Sequence, residues 1–395
     1  MQFLVHPSLA SVTQQFQQQS RLGWLVEFAT QHCYKECSTR DVARGKSIGA
    51  VPRQPHQTSI RTLLEKLQMM TLRRTALMTL VALASASGFA VAQTAKEVKV
   101  GYALAVNSHY GAAAQTWADS VEKSTKGAYK FKQFPASALG GERELIEGLQ
   151  LGTVEAVIVS TGALSNFVPE VGVVDIPFLF RDTAHARKVL DGEFGQDLLT
   201  KFKKRGLIAL AWGEQGFRHL SNNKRPVTKA DDIKGLKIRV TENPVHITAF
   251  RTLGASPTPM AWPEVIGALQ QGTIDGQENP VSVFVSAKLW QVQKNLSLTS
   301  HVYAPMALIV SPAFFGSLSD SEKVAFIEGA KAGALASRKF VDDVEKKAVT
   351  EIQSHGVQVV TKVDVASFQA GVAPAYKQYA AKFGQATIDK ITQTK

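Results

Sequence analysis

The sequence predicts an α/β fold with two similar lobes, each a mostly parallel sheet flanked by helices. Strand-like and helix-like segments alternate from residue 97 onward, an order that is typical of parallel sheets. A twelve-residue segment occurs twice, as ELIEGLQLGTVE at 144–155 and as EVIGALQQGTID at 264–275, with six identical positions. A helical pattern near the C terminus is long enough to span both lobes.

The first predicted lobe begins with EVKVGYAL at 97–104, where apolar residues alternate as in a half-buried strand. A helix follows, with Ser108 as its N-cap and Gly127 as its stop. YKFKQFP is the next alternating strand. The first copy of the repeated segment then predicts a helix, a turn at Gly152 and the buried strand VEAVIVS.

The second predicted lobe follows an apolar strand, LIALAWGE at 207–214. GLKIRVTEN predicts a strand and NPVHITAFRTLGA a helix that Gly254 ends, while SPTPMAW is interpreted as a proline-rich loop. Pro263 suits the first turn of the helix in the second copy of the repeat. Ser319 and Glu322 form a capping box for the long helix, and a polar helix ends the chain.

The repeat has a structural interpretation. Ligands of α/β sheets bind outside the carboxyl ends of strands, so two matching units predict a cleft between two lobes that a hinge can close. The alternative is that E-x-I-x-x-L-Q-x-G-T is only a common way to end a helix and begin a strand. The residues after each copy favour the cleft, because Ser160, Thr161 and Asn279 are polar groups suited to hydrogen bonding.

The strongest targeting signal lies at residues 70–93, MTLRRTALMTLVALASASGFAVAQ, which is typical of a secretory signal peptide. Its apolar core is shorter than the ~20 residues that a transmembrane helix needs. Residues 1–69 are then interpreted either as lying upstream of the true start, at Met69 or Met70, or as a disordered leader. Cys33 and Cys37 lie in this extension without a second pair, so a metal site there is weakly supported.

Charge and composition narrow the function. Of 45 Lys and Arg and 33 Asp and Glu residues, ten and four fall in residues 1–93, so residues 94–395 carry a net charge of only +6. Without an arginine-rich run, nucleic acid is not an expected partner, whereas a mild positive field suits anionic ligands. The sequence lacks nucleophile, zinc and phosphate-loop motifs, so we expect neither enzymatic activity nor a cofactor. The four histidines considered, His109, His219, His246 and His301, are interpreted as structural or solvated.

Two arginines and a tryptophan are candidates for ligand contacts. In GLKIRVTE, Arg239 points away from the apolar face that Leu236, Ile238 and Val240 share, and its fork matches a carboxylate. Arg218, in GFRHL, is a second candidate. The alternative for both is an ordinary surface arginine. Trp262 is interpreted as either a wall for a ligand or a core anchor.

Four spaced motifs, GLKIRV, GASPTPMAWPEV, LQQGTIDGQENP and DIPFLFRDTAHA, resemble the substrate-binding proteins of TRAP (tripartite ATP-independent periplasmic) transporters, the DctP family. The resemblance covers residues 96–395. It implies an exported, monomeric periplasmic receptor that captures an organic acid and delivers it to a sodium-driven membrane permease. It also implies the periplasmic binding protein fold, with hinge strands and a long helix joining two lobes, here 94–215 plus about 305–344, and 216–304 plus about 345–395.

The resemblance also implies roles for particular residues. Arg239 corresponds to the arginine that forms the main salt bridge to the ligand carboxylate. Trp262 departs from the commoner phenylalanine. The resemblance places eight further residues around the ligand, Arg218, Trp262 and Asn279 at the carboxylate end, and Ser108, His109, Glu142, Ser160 and Thr161 on the first lobe.

The expected ligands are sugar acids, such as aldonates or uronates, and C4-dicarboxylates. VDIPFLFRDTAHARKVLDG and SAKLWQVQKNLSLTSHVY resemble the sugar-acid (diketogulonate-type) branch, whereas DGQENP is shared with sialic-acid and C4-dicarboxylate binders. Two alternatives remain: a receptor that serves a sensor kinase instead of a permease, and a secreted α/β enzyme acting on a carboxylate.

Overall fold

The structure, a computed structural model, describes residues 65–66, 69–73, 78 and 94–395. Ala90–Lys395 forms one compact unit, separate from Met1–Phe89. Of the first unit, only the eight residues named above are described, and they are helical. Most of the signal peptide interpretation, and the cysteine pair, therefore lie outside the described residues. No helix within the described ranges has the length and apolar character needed to cross a membrane.

Nine strands form one sheet in the order β2-β1-β3-β8-β4-β7-β5-β6, and β9 pairs with β8. The strands are β1 (Lys96–Tyr102), β2 (Tyr129–Phe134), β3 (Ala156–Ser160), β4 (Ile208–Asn222), β5 (Lys237–Val240), β6 (Ser256–Pro259), β7 (Gly276–Pro280), β8 (Asn295–Val310) and β9 (Gln358–Val360). We call β1–β3 the first half of the sheet and β5–β7 the second half.

The two long strands β4 and β8 connect the halves. They pair with each other in antiparallel fashion from Ile208 to Asn222, and each also makes an antiparallel pair with one half, β8 with β3 and β4 with β7. Pairings within each half are parallel, as the strand–helix alternation predicts. The fold is therefore the expected two-lobed α/β fold, with a mixed sheet because the connecting strands run against their neighbours.

Twelve α-helices lie within residues 94–395 and flank the sheet. They are α1 (His109–Ser124), α2 (Glu142–Leu151), α3 (Thr161–Leu164), α4 (Thr183–Asp191), α5 (Glu193–Lys201), α6 (Pro244–Thr252), α7 (Trp262–Gln271), α8 (Val281–Ser286), α9 (Pro312–Gly316), α10 (Asp320–Ser354), α11 (Val365–Phe383) and α12 (Gln385–Thr392). The predicted capping box begins α10, because Ser319 Oγ accepts from the Glu322 amide and Glu322 accepts from the Ser319 amide.

The long helix α10 spans both halves, as predicted. Its first turns bury Phe326, Ala330 and Ala334 in a core shared with β1 and β3. Further along, Val344 and Ala348 enter a separate core that contains residues of α7 and α8. A single helix thus packs against both halves of the molecule.

The repeated segment forms equivalent units in the two halves. Helices α2 and α7 both have ten residues, and both end at a glycine with left-handed backbone, Gly152 at φ 72° and Gly272 at φ 69°. Glycine has no Cβ and adopts this conformation without strain. The strands that follow, β3 and β7, are each parallel to a neighbour in their own half and antiparallel to one long strand.

Two predicted elements differ from the structure. The strand predicted at 207–214 continues to Asn222, because a register shift at Gly216, with φ 104°, lets β4 pass from one half to the other without ending. SPTPMAW is not wholly a loop, since Ser256–Pro259 pairs with β5. Prolines are tolerated there because β6 is an edge strand.

The two C-terminal helices contact both halves. Phe368 and Val372 of α11 pack with residues of β5 and α6, whereas Tyr379 and Ile388 pack with residues of β3 and α4. The end of the chain therefore ties the second half back to the first.

Candidate ligand-binding site

A small cavity of about 30 Å³ lies where the two halves of the sheet meet. Residues from the first half and from α1 and α2 form one wall, and residues from β4, β5, β7, α7 and α8 form the other. The lining residues are Ala103, Leu104, Tyr110, Glu142, Ser160, Gln215, Arg218, Arg239, Thr241, Trp262, Asn279 and Val283.

The repeated units supply matching parts of this wall. Ser160 ends β3 and Asn279 is the penultimate residue of β7, so the strand after each copy brings a polar side chain to the cavity. The helices of the two copies also begin there, at Glu142 and Trp262. Both strand ends meeting at one cavity is the geometry expected of a ligand site in an α/β fold.

Arg239 is a buried cation without a carboxylate partner. The residue lies in β5 and is only 4% exposed. Nε and Nη2 donate to the Met260 carbonyl at 3.0 and 2.7 Å, and the guanidinium lies 6.0 Å from the Trp262 ring centroid. Among the described residues, no acid forms a salt bridge with it. Burial lowers the pKa of Arg239 to about 10, which still leaves it protonated at neutral pH.

Arg218, by contrast, is already neutralised by a protein carboxylate. Its Nη2 donates to Glu278 Oε1 at 2.8 Å and its Nε donates to Oε2, and both residues are buried. Burial alone would raise the pKa of Glu278, but the Arg218 charge and the neighbouring His246 and His301 side chains outweigh it and hold that pKa well below its usual range. The pair therefore forms a neutral, rigid part of the wall.

Histidines pack behind this pair and do not line the cavity. His301 Nε2 lies 3.2 Å from Glu278 Oε2, and His246 Nδ1 lies 3.7 Å from Oε1. His219 Nδ1 accepts from the Ser300 amide at 3.1 Å, and burial lowers its pKa to about 3. All three are buried, so their surroundings fit the structural interpretation rather than the solvated one.

Glu142 is the carboxylate of the opposite wall. Its Oε1 accepts from the Tyr110 hydroxyl at 2.9 Å and from the Ser160 amide at 2.7 Å, and its Oε2 accepts from the Ser160 hydroxyl at 2.5 Å. Within the described chain, no lysine, arginine or histidine forms an ion pair with it. The cavity thus has an unpaired cation on one side and a hydrogen-bonded acid on the other.

Three residues that the sequence placed at the site do not line the cavity. Thr161 is buried and donates to Asp175 Oδ1 at 2.6 Å. Ser108 caps α1, where its hydroxyl accepts from the Gly111 amide. His109 is completely buried, and neither ring nitrogen has a hydrogen-bond partner. The structure brings together the other six: Glu142, Ser160, Arg218, Arg239, Trp262 and Asn279.

Sequence reasoning missed several lining residues, of which Tyr110, Gln215 and Thr241 are polar. Gln215 lies at the irregular point of β4, and its amide donates to the Pro305 carbonyl at 3.3 Å. In the sequence, the only feature that marks the position of Gln215 is the glycine that follows it. Tyr110 is the second residue of α1, and the sequence analysis had placed its neighbours Ser108 and His109 at the site.

A larger groove of about 650 Å³ lies on the surface beside α5, α11 and α12. Its charged side chains are at least partly exposed, and Lys201 pairs with Asp197 at 3.0 Å. Because it lacks a buried polar group that would orient a ligand, we regard the small cavity as the functional site.

Comparisons with known proteins show the family of this chain. Residues 100–382 match the family described as bacterial extracellular solute-binding protein, family 7, or DctP. The chain belongs to the DctP family. A solute-binding protein of Verminephrobacter eiseniae is 50% identical over 302 residues, which cover 76% of this chain and 90% of the relative.

Solved structures of TRAP periplasmic solute-binding proteins extend the comparison. A TRAP periplasmic solute-binding protein from Bordetella, with density assigned to pantoate, has a TM-score of 0.75 and 58% identity over 76% of this chain and 99% of its own. One from Polaromonas, bound to D-erythronate, has a TM-score of 0.75 and 53% identity with the same coverage. This DctP-family chain is therefore a solute-binding protein and not an enzyme.

The buried histidines predict a loss of stability in acid. His109 and His219 both have a pKa near 3 in the folded state because of burial, compared with 6.5 when exposed. Between these values only the unfolded chain binds the protons, so the contribution of these two histidines to stability is complete above pH 6.5 and is lost as the pH is lowered toward 3. Each histidine should cost about 1.4 kcal/mol of unfolding free energy per pH unit.

Urea unfolding of residues 94–395 at several pH values checks this expectation. His109→Gln should reduce the slope between pH 6.5 and 5 by about one proton, because it removes one of the two imidazoles that bind a proton only in the unfolded chain. The same slope for His109→Gln and wild type would contradict the expectation, whereas the wild-type slope alone also contains the opposing effect of Glu345, whose pKa burial raises to about 7.

Proposed function

We propose that this protein is an exported receptor of a TRAP transporter that binds a small organic acid, with Arg239 as its carboxylate clamp. The observation that carries the proposal is the buried Arg239 guanidinium without an acidic partner among the described residues. An uncompensated buried charge is costly, so such a site is expected to be completed by an anion. A ligand carboxylate supplies that anion and accepts charge-assisted hydrogen bonds.

The protein already orients the guanidinium for this task. The Met260 carbonyl accepts hydrogen bonds from Nε and Nη2 of Arg239, and the Trp262 ring lies beside the guanidinium. No described group accepts from Nη1, which remains available to a ligand. A fixed guanidinium loses less conformational freedom when it binds than a mobile one does, and this strengthens the clamp.

The relatives support a sugar-acid class of ligand. D-Erythronate and pantoate, named for the Polaromonas and Bordetella structures, are both hydroxylated acids with a four-carbon backbone and one carboxylate. The cavity of this chain has one unpaired arginine and several hydroxyl and amide groups, Tyr110, Ser160, Gln215, Thr241 and Asn279. We therefore expect short aldonates and related hydroxy acids to bind.

Ligand entry requires the lobes to separate. A cavity of about 30 Å³ has room for a few water molecules but not for a four-carbon acid. The two walls also approach each other closely. If a Cβ atom were added to Gly162, it would lie 3.0 Å from Thr241 Oγ1 of the opposite wall, and one added to Gly141 would lie 3.7 Å from Ala261 Cβ. Closure around the ligand excludes water, which strengthens the bonds to Arg239.

We propose that the lobes comprise 94–215 with about 305–344, and 216–304 with about 345–395. The change of half along β4 and β8 supports the hinge near residues 215 and 305. The last helix, α12, packs with α4, so we place this helix with the first lobe and end the second lobe's C-terminal segment before it.

We propose a periplasmic location, reached through the signal peptide at 70–93, and delivery of the ligand to sodium-coupled TRAP permease subunits by a monomeric receptor. Two relatives of 58% and 53% identity are described as TRAP periplasmic proteins, which supports the location. Co-purification with the membrane subunits tests the partner.

A thermal-shift screen tests the ligand class. Residues 94–395 suit the experiment because they lie in one compact unit, and the matched part of this chain covers 99% of two solved relatives. The panel comprises aldonates, uronates, C4-dicarboxylates, 2-oxoacids and aromatic acids. A ligand at 100 times its Kd should stabilise the protein by ~2.7 kcal/mol, a shift of several degrees. No shift with any carboxylate would contradict the proposal.

A further inference from the structure

We propose that Glu142 is a charge filter that makes the site select hydroxylated monocarboxylates and reject dicarboxylates of the same length. This inference rests on the proposed carboxylate clamp at Arg239. It concerns the chemical group at the opposite end of the ligand, which the Arg239 clamp does not determine. The evidence is the arrangement of charges and hydrogen-bond donors around the cavity.

Glu142 is held firmly at the cavity wall. It is the first residue of α2, directly after the turn formed by Gly140, at φ 103°, and Gly141. Three donors from Tyr110 and Ser160 converge on its two oxygens. This is the hydrogen-bonding pattern of an ionised carboxylate, which accepts only.

The charges that line the cavity leave room for one ligand carboxylate. Three charged residues line it: Arg218, Arg239 and Glu142. Arg218 is paired with Glu278, so Arg239 is the only lining cation in the described chain without an acid. A second carboxylate on the ligand would find no free cation and would meet Glu142, a like charge in a site with little water.

A hydroxyl group, in contrast, fits the same position. A carboxylate has about four lone-pair directions, and three of those of Glu142 are used by protein donors. The remaining direction can accept from a ligand hydroxyl. Closure of the cleft would remove this half-buried acceptor from water, so the site should also discriminate against ligands that lack the hydroxyl and leave the acceptor unpaired.

Calorimetry with D-erythronate, L-malate and succinate tests the filter on residues 94–395. Erythronate and malate share a four-carbon backbone and a hydroxyl group at C2, but malate has a second carboxylate in place of the terminal CH2OH group and lacks the hydroxyl group at C3. We expect the wild type to bind erythronate at least a hundredfold more tightly than malate or succinate. Equal affinity of the wild type for erythronate and malate would overturn the filter without any variant.

Glu142→Gln removes the charge and keeps the shape. It should reduce the preference for erythronate over malate at least tenfold. The matched control is Glu144→Gln, because Glu144 lies in the same first turn of α2 but is exposed and does not line the cavity. The control should leave the preference unchanged, whereas an unchanged preference in a folded Glu142→Gln protein would overturn the filter.

The two proposals fail in different ways. If Arg239→Ala abolishes erythronate binding and Glu142→Gln leaves the preference intact, only the filter is wrong. If Arg239→Ala keeps full affinity, or no carboxylate binds the wild type, the clamp is wrong and the filter fails with it.

Discussion

Replacing Arg239 with alanine is expected to abolish binding of the organic acid. The ligand carboxylate would be buried in the closed cleft without its cation, because Arg218 is already engaged by Glu278 and cannot replace it. Breaking a buried charge pair by removing one partner typically costs about 3–5 kcal/mol. This corresponds to a loss of affinity of about 10²–10⁴-fold, which titration calorimetry of wild type and variant would measure.

Two further variants separate the clamp from general effects of charge. Arg239→Lys keeps the positive charge but loses the fork, so it should bind more weakly than wild type and more tightly than the alanine variant. Arg251→Ala removes one positive charge from the exposed surface of α6 and should leave affinity unchanged. An Arg239→Ala protein with wild-type affinity would show that Arg239 is not the carboxylate site.

Glu278→Gln is expected to destabilise the fold by about 3–5 kcal/mol. Arg218 would remain as a buried charge without a counter-ion, and His301 would lose the carboxylate that faces its Nε2. Glu328→Gln is the matched control, since Glu328 forms an exposed pair with Lys331 that should contribute less than about 1 kcal/mol. Urea unfolding compares the two variants.

A double variant distinguishes the fold from the site. Arg218→Met combined with Glu278→Leu replaces the buried pair by apolar groups and should recover most of the lost stability. It should nevertheless bind the ligand weakly, because Arg218 forms part of the cavity wall. Wild-type stability of the single Glu278→Gln variant would contradict the view that the pair is a fixed part of the site.

Local sequence patterns were sufficient for most of the fold. The two copies of the helix–glycine–strand segment were recognisable because the left-handed turns at Gly152 and Gly272 depend on residues within a few positions. The continuation of β4 through Gly216 was missed, because it depends on pairing with β8 about ninety residues away. The edge strand β6 was missed because its prolines are acceptable only where no further strand pairs.

The site was predictable where it depends on strand alternation and strand ends. Alternation correctly separated Arg239 from its apolar neighbours Ile238 and Val240, but it left a surface arginine open as the alternative, whereas the structure buries this residue at the cavity. The pairing of Arg218 with Glu278 was not predictable, because it results from the register of β4 and β7 across sixty residues.

The central claim, recognition of the ligand through its carboxylate, is tested most directly by comparing D-erythronate with its neutral carboxamide on wild-type residues 94–395. The amide keeps the carbon backbone and all hydroxyl groups but loses the negative charge. We expect calorimetry to detect tight binding of erythronate and at least a hundredfold weaker binding of the amide. Equal affinities would show that Arg239 does not recognise a carboxylate and would contradict the proposed function.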